Sequence, residues 1–425
     1  MKIREAIEQG SGEVSLKGWI YRIRATKKFV FIVLRDSTGI IQSIITKDKD
    51  FFEAASNLQI EASVEITGEI EEDERAPTGY EIKVKDLKVV GESHQFPIQK
   101  DQSKELLADN RHLWLRSRKM TSILKIRSTV FGAIHEYFRN NDFTEFHSPI
   151  FQSTQSEGGS EVFSVDYFGN EVFLAQTWQL PAEAGIFGLE NIYTVAPSFR
   201  AEKSKTSRHL TEYWHAEMEM AWNTFDDLIS HGEGLLKHVV KKVLDENKEE
   251  LKLLERDVSL LQPTLDNEFE KMTYDEALKI LKEKTDVEVE WGEDLGINEE
   301  RALTKLYKTP IVVTHYPKKV KAFYMKEDEN NSDVVYGCDF LAPEGYGEII
   351  GGSQREEDKD EIIKRLKEEG EDPSEYEYYL DTRRYGSIPH GGFGLGVERI
   401  ITWICGLDTI KDSIPFPRTP TRHHP

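Results

Sequence analysis

The chain has 425 residues, 38% of them hydrophobic and 31% charged, and its 55 Lys plus Arg against 77 Asp plus Glu leave a formal charge of −22. Such a balance can bury a sizeable core, which excludes collagen, coiled-coil and wholly disordered chains, and at about 150 residues per domain it allows two or three domains. No apolar run approaches the ~20 residues that span a bilayer, and the start, MKIREAIEQGSGE, lacks a secretory core, so the expectation is a soluble, cytoplasmic protein with no membrane role. Cys338 and Cys405 are too few for a disulfide framework or a zinc site and read as buried thiols. Phosphate binding needs clustered Lys and Arg, so the acidic total argues against a sequence-blind nucleic-acid coat but leaves room for a local basic patch.

Between residue 13 and about 92, short runs rich in β-branched and aromatic residues alternate with turn signals, which predicts a small all-β barrel or sandwich. Residues 16 to 49 hold eight basic side chains (Lys17, Arg22, Arg24, Lys27, Lys28, Arg35, Lys47, Lys49) against Asp36 and Asp48, a local excess of six positive charges. Phe29 and Phe31 alternate there with Val30 and Ile32, so both rings share one face of a strand. Two readings of that face compete: a core face, or an aromatic platform flanked by cations on which single-stranded nucleotides stack.

Residues 96–119 show no clean period and are expected to form a hinge. From 120 to 140 a helical stripe runs through Ile123, Ile126, Val130, Ile134, Tyr137 and Phe138. VFSVDYFGNEVFLAQ reads as two strands across a Gly-Asn turn, and YTVAPSFRAE with TEYWHAEMEMAW as a strand pair joined by KSKTSRHL. Residues 225 to 310 are helical, with helices near 226 to 256 and 274 to 284. IVVTHYP, KAFYM, VVYGCDFLA and YGEIIGG return to strand, and EEDKDEIIKRLKEEGED is a solvated amphipathic helix.

Three segments carry candidate chemistry. Residues 199–222 set Arg200 and Glu202 at the end of one strand, Arg208 and His209 in the loop and Tyr213 at the return, although such a segment alone would equally suit a basic hairpin tip. Residues 339–356, DFLAPEGYGEIIGGSQRE, place Asp339 and Glu348 in an apolar, glycine-rich setting with Arg355 after them. Two carboxylates within reach of phosphate oxygens commonly hold Mg²⁺, whereas isolated acids more often serve as salt-bridge partners. In GGFGLGVERIITWICG, residues 391–406, glycines that let backbone approach a ligand run into a helix start, where anions are favoured. Arg399 in that first turn opposes the helix dipole, a penalty that an arriving polyphosphate would remove.

Together TEFHSP, FRAE…RHLTE and GFGLGVER resemble motifs 1, 2 and 3 of the class II aminoacyl-tRNA synthetases, and the basic barrel resembles the anticodon-binding OB-fold of the aspartyl, asparaginyl and lysyl subgroup. The resemblance covers nearly the whole chain. It implies an α+β protein with a five-stranded OB-fold barrel over 1–95, a hinge over 96–119, and a class II catalytic domain over 120–425, an antiparallel sheet flanked by helices. It also implies the chemistry: an amino-acid carboxylate attacks the α-phosphorus of ATP, and the tRNA terminal hydroxyl then takes the acyl group. No strong base is required, so catalysis is positioning and charge stabilisation.

By the same resemblance Arg200 holds the α-phosphate, Glu202 reads the adenine amino group and Tyr213 stacks on the base. Arg208, His209 and Arg399 face the β- and γ-phosphates beside Gly396, while Asp339 and Glu348 bind Mg²⁺. Arg200, Arg399 and Glu348 are the expected catalytic residues. In the barrel, Phe31 stacks on the central anticodon base, Gln42 reads it, and Arg24 contacts a base. Family members pair through motif 1, which implies a homodimer with Pro149 and the helix before it at the interface.

Aspartate-specific members carry QSPQLYK, whose lysine pairs with the substrate carboxylate; here the segment is QTWQLPA, and Ala182 falls at the lysine position. The chain also has Glu348-Ile-Ile-Gly-Gly-Ser-Gln-Arg355 where aspartyl enzymes read EISSGGQRE, and Glu217 where they usually have Asp. Glu217 would accept from a substrate amide NH₂ and repel a carboxylate, Arg355 would donate to the amide oxygen, and Gly351 is expected among the amino-acid-binding residues. Glu157 and Gln179 would contact the α-amino group and backbone. The expected substrates are therefore L-asparagine, ATP and tRNA(Asn). A relaxed aspartyl enzyme is disfavoured by Ala182 and Glu217, a paralogue making free asparagine by the barrel, and a non-catalytic RNA-binding relative by the presence of Arg200, Arg208 and Arg399.

Overall fold

A computed structural model describes residues 1–99, 102–156, 162–203 and 206–425. The chain forms two compact units, Met1–Trp114 and Leu115–Pro425. In the first, five strands, Gly12–Ala25, Phe29–Arg35, Ile40–Thr46, Ser63–Glu72 and Tyr80–Gly91, close a barrel in the order first, second, third, fifth, fourth. Only the third and fifth pair in parallel. The period-2 pattern sets the inside: Val14, Leu16, Ile20, Val30, Ile32, Leu34, Ile41, Ile45, Ile66 and Ile82 form one buried cluster, and the helix Ile3–Gln9 adds Ile3 and Ala6 to it. Because Val30 and Ile32 are the inward residues, Phe29 and Phe31 lie on the outer face, so the core-face reading of these rings is set aside.

The second unit is built on a nine-stranded sheet. Its strand order is Glu270–Thr273, Ile311–Pro317, Asn331–Ala342, Gly347–Gln354, His390–Gly396, Glu212–Ala221, Asn191–Phe199, Thr144–Glu145, with Glu327–Asp328 paired to Asn331–Ala342. The central pairings are antiparallel and the outermost pairing at each edge is parallel. Helices Arg118–Asn140, Phe225–Glu246 and Val397–Ile404 pack on this sheet. Phe340 faces Gly232 of the second of these, so its strand neighbour Asp339 must face the other side, where a cavity opens. Capping boxes at Thr224 and Thr273 start the helices Phe225–Glu246 and Tyr274–Lys284.

Several elements differ from the sequence expectation. The region read as a hinge contains helices Lys104–Asp109 and Arg111–Trp114. The long helix expected to run to residue 256 breaks at Asn247 into Phe225–Glu246 and Lys248–Leu253. The hairpin turn lies one residue earlier than Gly-Asn: Phe168 and Gly169 both take positive φ, 54° and 88°, which joins Ser164–Tyr167 to Asn170–Leu174. KAFYM is no strand but a turn after the short 3₁₀ helix Lys318–Val320, because Phe323 and Tyr324 fill an apolar cluster while Lys321 turns toward buried acids. Cys338 and Cys405 are buried free thiols. Among the described residues no helix is long and apolar enough to cross a membrane.

Candidate active site

The central strands wall a cavity of about 540 Å³ that adjoins a narrower one of about 100 Å³. Arg200, His215, Glu348 and Gly394 line both compartments. Glycine is needed where the two compartments share a wall: a Cβ at Gly394 would overlap the His215 ring. The helix after this strand is tied in place by Glu398, whose carboxylate accepts from Trp214 N at 2.8 Å and pairs with Arg127 at 2.6 Å. That anchoring fixes Arg399, one residue on, at the mouth of the narrow compartment.

The narrow compartment is lined by Arg200, Glu202, Arg208, His209, Tyr213, Gly396 and Arg399, together with Glu348. The Arg200 guanidinium lies 5.8 Å from the centre of the Tyr213 ring. Arg399 Nη1 donates to Glu348 Oε2 at 2.7 Å, while Arg208 donates to Glu300 at 2.8 Å and to the Glu348 carbonyl at 3.3 Å. His209 faces Thr206 Oγ1 at 2.5 Å and Glu202 at 4.0 Å. Burial, and then the cation of Arg399, lower the His209 pKa, so the compartment's positive charge comes from its arginines.

Glu348 lines both compartments and Asp339 the large one, the two acids being brought together by the pairing of Asn331–Ala342 with Gly347–Gln354. A Cβ placed on Gly351 would sit 3.1 Å from Glu348 Oε1 and 3.4 Å from Asp339 Oδ1, so the absence of a side chain there leaves the gap between the two acids open. Burial raises the Asp339 pKa and the like charge of Glu348 adds to it against Lys321, which brings it up to about 6. Burial also opposes the Glu348 charge, but Arg399, Lys321 and Arg208 overcome it and hold this acid down at about 2. Lys321 donates to Asp339 at 3.1 Å and stacks its ammonium 3.9 Å from the Tyr316 ring centre.

The far end of the large cavity is a network of buried charge. Glu217 accepts from Trp178 N at 3.0 Å and from the Thr177 hydroxyl, and lies 3.5 Å from His215. Arg355 donates to Glu219 through Nε at 3.3 Å and also through Nη2, and to Ser353 through Nη1 at 2.8 Å. Burial works against the Arg355 charge, and the carboxylates of Glu219 and Glu183 overcome it, so the guanidinium stays ionised. Gln179 lines this end and donates to Glu183 at 2.9 Å.

Thus the fold gathers Arg200, Glu202, Arg208, His209, Tyr213, Gly396, Arg399, Glu348, Asp339, Gly351, Gln179, Glu217 and Arg355 around one pair of compartments. Ala182 is different: it is fully buried with Trp178, Ile186 and Ile192 and does not line the cavity. Glu157 lies outside the described residues. Sequence reasoning missed Thr177, His215, Glu219, Asp294, Glu300 and Lys321; of these Asp294, Glu300 and Lys321 lie on segments that carry no motif. The alternation HAEMEM puts His215, Glu217 and Glu219 on the same strand face, a signal that could have found the other two beside Glu217.

On the barrel, Arg24 and Phe31 are directly opposed across neighbouring strands, and Gln42 stands on the next strand opposite Val33. All three face outward: Arg24 is exposed, Phe31 and Gln42 are half-buried. The Phe29 and Phe31 rings are 6.1 Å apart, and Gln42 Nε2 donates to Glu81 at 2.6 Å. Arg22, Lys27 and Lys28 flank the rings in the open.

A cavity lined by arginines, paired acids and buried polar side chains, set on a mostly antiparallel sheet, suits a charged, phosphate-bearing ligand. The family model for tRNA synthetases class II (D, K and N) matches residues 103–420, and the model for the OB-fold nucleic acid binding domain matches residues 14–90. The chain belongs to the class II tRNA synthetases of the D, K and N group. The asparagine–tRNA ligase of Thermoplasma acidophilum is 47% identical over 416 residues, 97% of this chain and 96% of that protein. That of Thermococcus gammatolerans is 47% identical over 420 residues, 98% and 97% of the two chains. The crystal structure of Pyrococcus horikoshii asparaginyl-tRNA synthetase complexed with asparaginyl-adenylate matches with a TM-score of 0.95 at 46% identity, covering 98% and 97% of the two chains.

Proposed function

We propose that this chain is an asparagine–tRNA ligase, which activates L-asparagine with ATP to asparaginyl-adenylate and transfers it to tRNA(Asn). The observation that carries the reading is the charged corner of the cavity, where Arg355 is already paired with Glu219 and Glu217 presents a second carboxylate held by Trp178 N. An amide side chain needs both an acceptor and a donor, and Glu217 with Arg355 supplies that pair. Near-full-length relatives of the same activity support it.

In this reading, Arg200 stabilises charge on the α-phosphate as the asparagine carboxylate oxygen forms its bond to phosphorus and pyrophosphate leaves. Tyr213 stacks on the adenine and Glu202 accepts from its amino group. Arg208, His209 and Arg399 receive the β- and γ-phosphates, which then take the place of Glu300 beside Arg208 and of Glu348 beside Arg399. Gln179, with Glu157, orients the α-amino group so that the carboxylate lies in line with the leaving group. Asp339 and Glu348 offer two hard oxygen donors across the open space at Gly351, a set that fits Mg²⁺, which when bound would draw charge from the phosphate oxygens. Residues 1–95 are assigned to anticodon binding through Arg24, Phe31 and Gln42, 96–119 to the connection and 120–425 to catalysis.

The reading extends to a homodimer through the motif 1 region, where Ile150 and Phe151 expose apolar surface next to Pro149, and to a cytoplasmic setting. Aminoacylation tests it: purified protein with ATP and Mg²⁺ should charge tRNA with radiolabelled asparagine, and chelating Mg²⁺ should abolish charging. Charging of tRNA with aspartate in preference to asparagine would refute it.

A further inference from the structure

Beside the Arg355 corner of the cavity lies an ion cluster that the reaction above does not use. Its centre is Glu183, which has no exposed surface and does not line the cavity. Glu183 Oε2 accepts from Arg383 Nη2 at 2.6 Å and faces His390 Nε2 at 3.0 Å. Glu183 Oε1 accepts from Gln179 Nε2 at 2.9 Å and lies 3.9 Å from Arg355 Nε. One carboxylate outside the cavity therefore touches two side chains that line it.

Each contact has a consequence for what the cavity accepts. A carboxylate can only accept hydrogen bonds, so Gln179 must turn its NH₂ to Glu183 and keep its carbonyl oxygen on the opposite edge of the amide, ready for an ammonium group. Arg355 already gives three donors to Glu219 and Ser353, and with Glu183 nearby the buried cluster sets two carboxylates, Glu219 and Glu183, against two guanidiniums, Arg355 and Arg383. In a buried, low-dielectric corner that pairing cancels the field that would attract a substrate carboxylate, yet an amide oxygen needs only one remaining N–H. The helix Gln179–Leu189 acts twice within one turn: Ala182 stands where aspartate-specific relatives carry lysine, and the next residue adds an anion.

We propose that Glu183 is a specificity-determining positioning residue, which orients Gln179 and offsets the Arg355 charge so that the cavity takes a neutral amide side chain and rejects a carboxylate. The inference rests on the asparagine-activating reading. Arg383 also donates to the Glu356 carbonyl and to Tyr379, so Glu183 has a share in holding the helix Glu377–Arg384, and the test has to separate the two roles.

ATP–pyrophosphate exchange with the full chain, run with asparagine and with aspartate, makes that separation. If the unmodified protein fails to exchange with asparagine, the activity assignment falls whatever the variants do. If it does exchange, Glu183→Gln, which keeps the shape and removes the charge, should lower the asparagine-to-aspartate ratio of kcat/KM by about tenfold or more, with KM for asparagine raised and KM for ATP within about twofold. Glu183→Asp should keep the original preference even where turnover falls. Should Glu183→Gln not fold, Glu183→Gln with Arg383→Met removes both members of the buried pair, a change that buried pairs often tolerate, and should show the same loss of preference. A folded single or double variant with the original ratio overturns the proposal, and so does failure of both variants to fold, which would assign Glu183 to structure alone.

Discussion

On the barrel, Arg24, Phe31 and Gln42 stand on the outer face of adjacent strands, and the cations around them, Arg22, Lys27 and Lys28, are open to solvent. In the second unit, Arg355, Glu219, Glu183 and Arg383 are all buried, and each charge already has a partner. A surface meant for a flexible polynucleotide can leave its groups independent, because the ligand brings its own phosphates and bases to them. A pocket that must tell an amide from a carboxylate has to fix its charges beforehand, since the two ligands differ by little else. The barrel face should therefore tolerate single changes with additive, ligand-specific losses, while the cavity should respond as a unit.

The largest effect is expected in the cavity. Glu219→Ala leaves the Arg355 guanidinium buried without its main partner, which should cost about 3 to 5 kcal/mol of stability, measurable by denaturant unfolding. Arg200→Ala should leave the fold intact and lower kcat/KM for pyrophosphate exchange by about 3 to 4 kcal/mol, by analogy with removal of a charge-stabilising donor. On the barrel, Phe31→Ala should raise KM for tRNA by about 1 to 3 kcal/mol, the worth of one stacked base, with KM for ATP unchanged. Equal effects on both substrates would erase the contrast between the two regions. The smallest effect concerns pH: Asp339 is held up at about 6, so below that pH it takes on a proton and no longer competes for a cation. Exchange should then need more Mg²⁺ at acid pH than at neutral pH, and Asp339→Asn should remove that dependence.

Much of this was legible because periodicity carries it. Strict alternation put Phe29 and Phe31 on one strand face and Val30 and Ile32 on the other, though the fold had to show which face is inside, and the strand pair that holds Arg200 and Tyr213 followed from its β-rich runs and polar loop. Asp339 and Glu348 could be named as a pair, yet their approach depends on the register that sets Asp339 opposite Gly351 and Leu341 opposite Glu348. Ion pairs that join distant segments leave no such trace. Lys321 lay in KAFYM, whose aromatic content suggested a strand, and nothing local signals that its ammonium turns to Asp339. Glu183 had a weak signal in its four-residue spacing from Gln179, which puts both on one helix face. Its partners Arg355, Arg383 and His390 come from much later in the chain, so only the folded sheet reveals the cluster.

The central claim is that buried, paired charge makes the cavity select asparagine. It is tested most directly by ATP–pyrophosphate exchange without tRNA, comparing asparagine and aspartate at equal concentrations with the unmodified protein. The account predicts exchange with asparagine and only background with aspartate. Exchange with aspartate at a comparable rate would contradict it, since the Arg355 corner would then carry enough positive field to hold a second carboxylate.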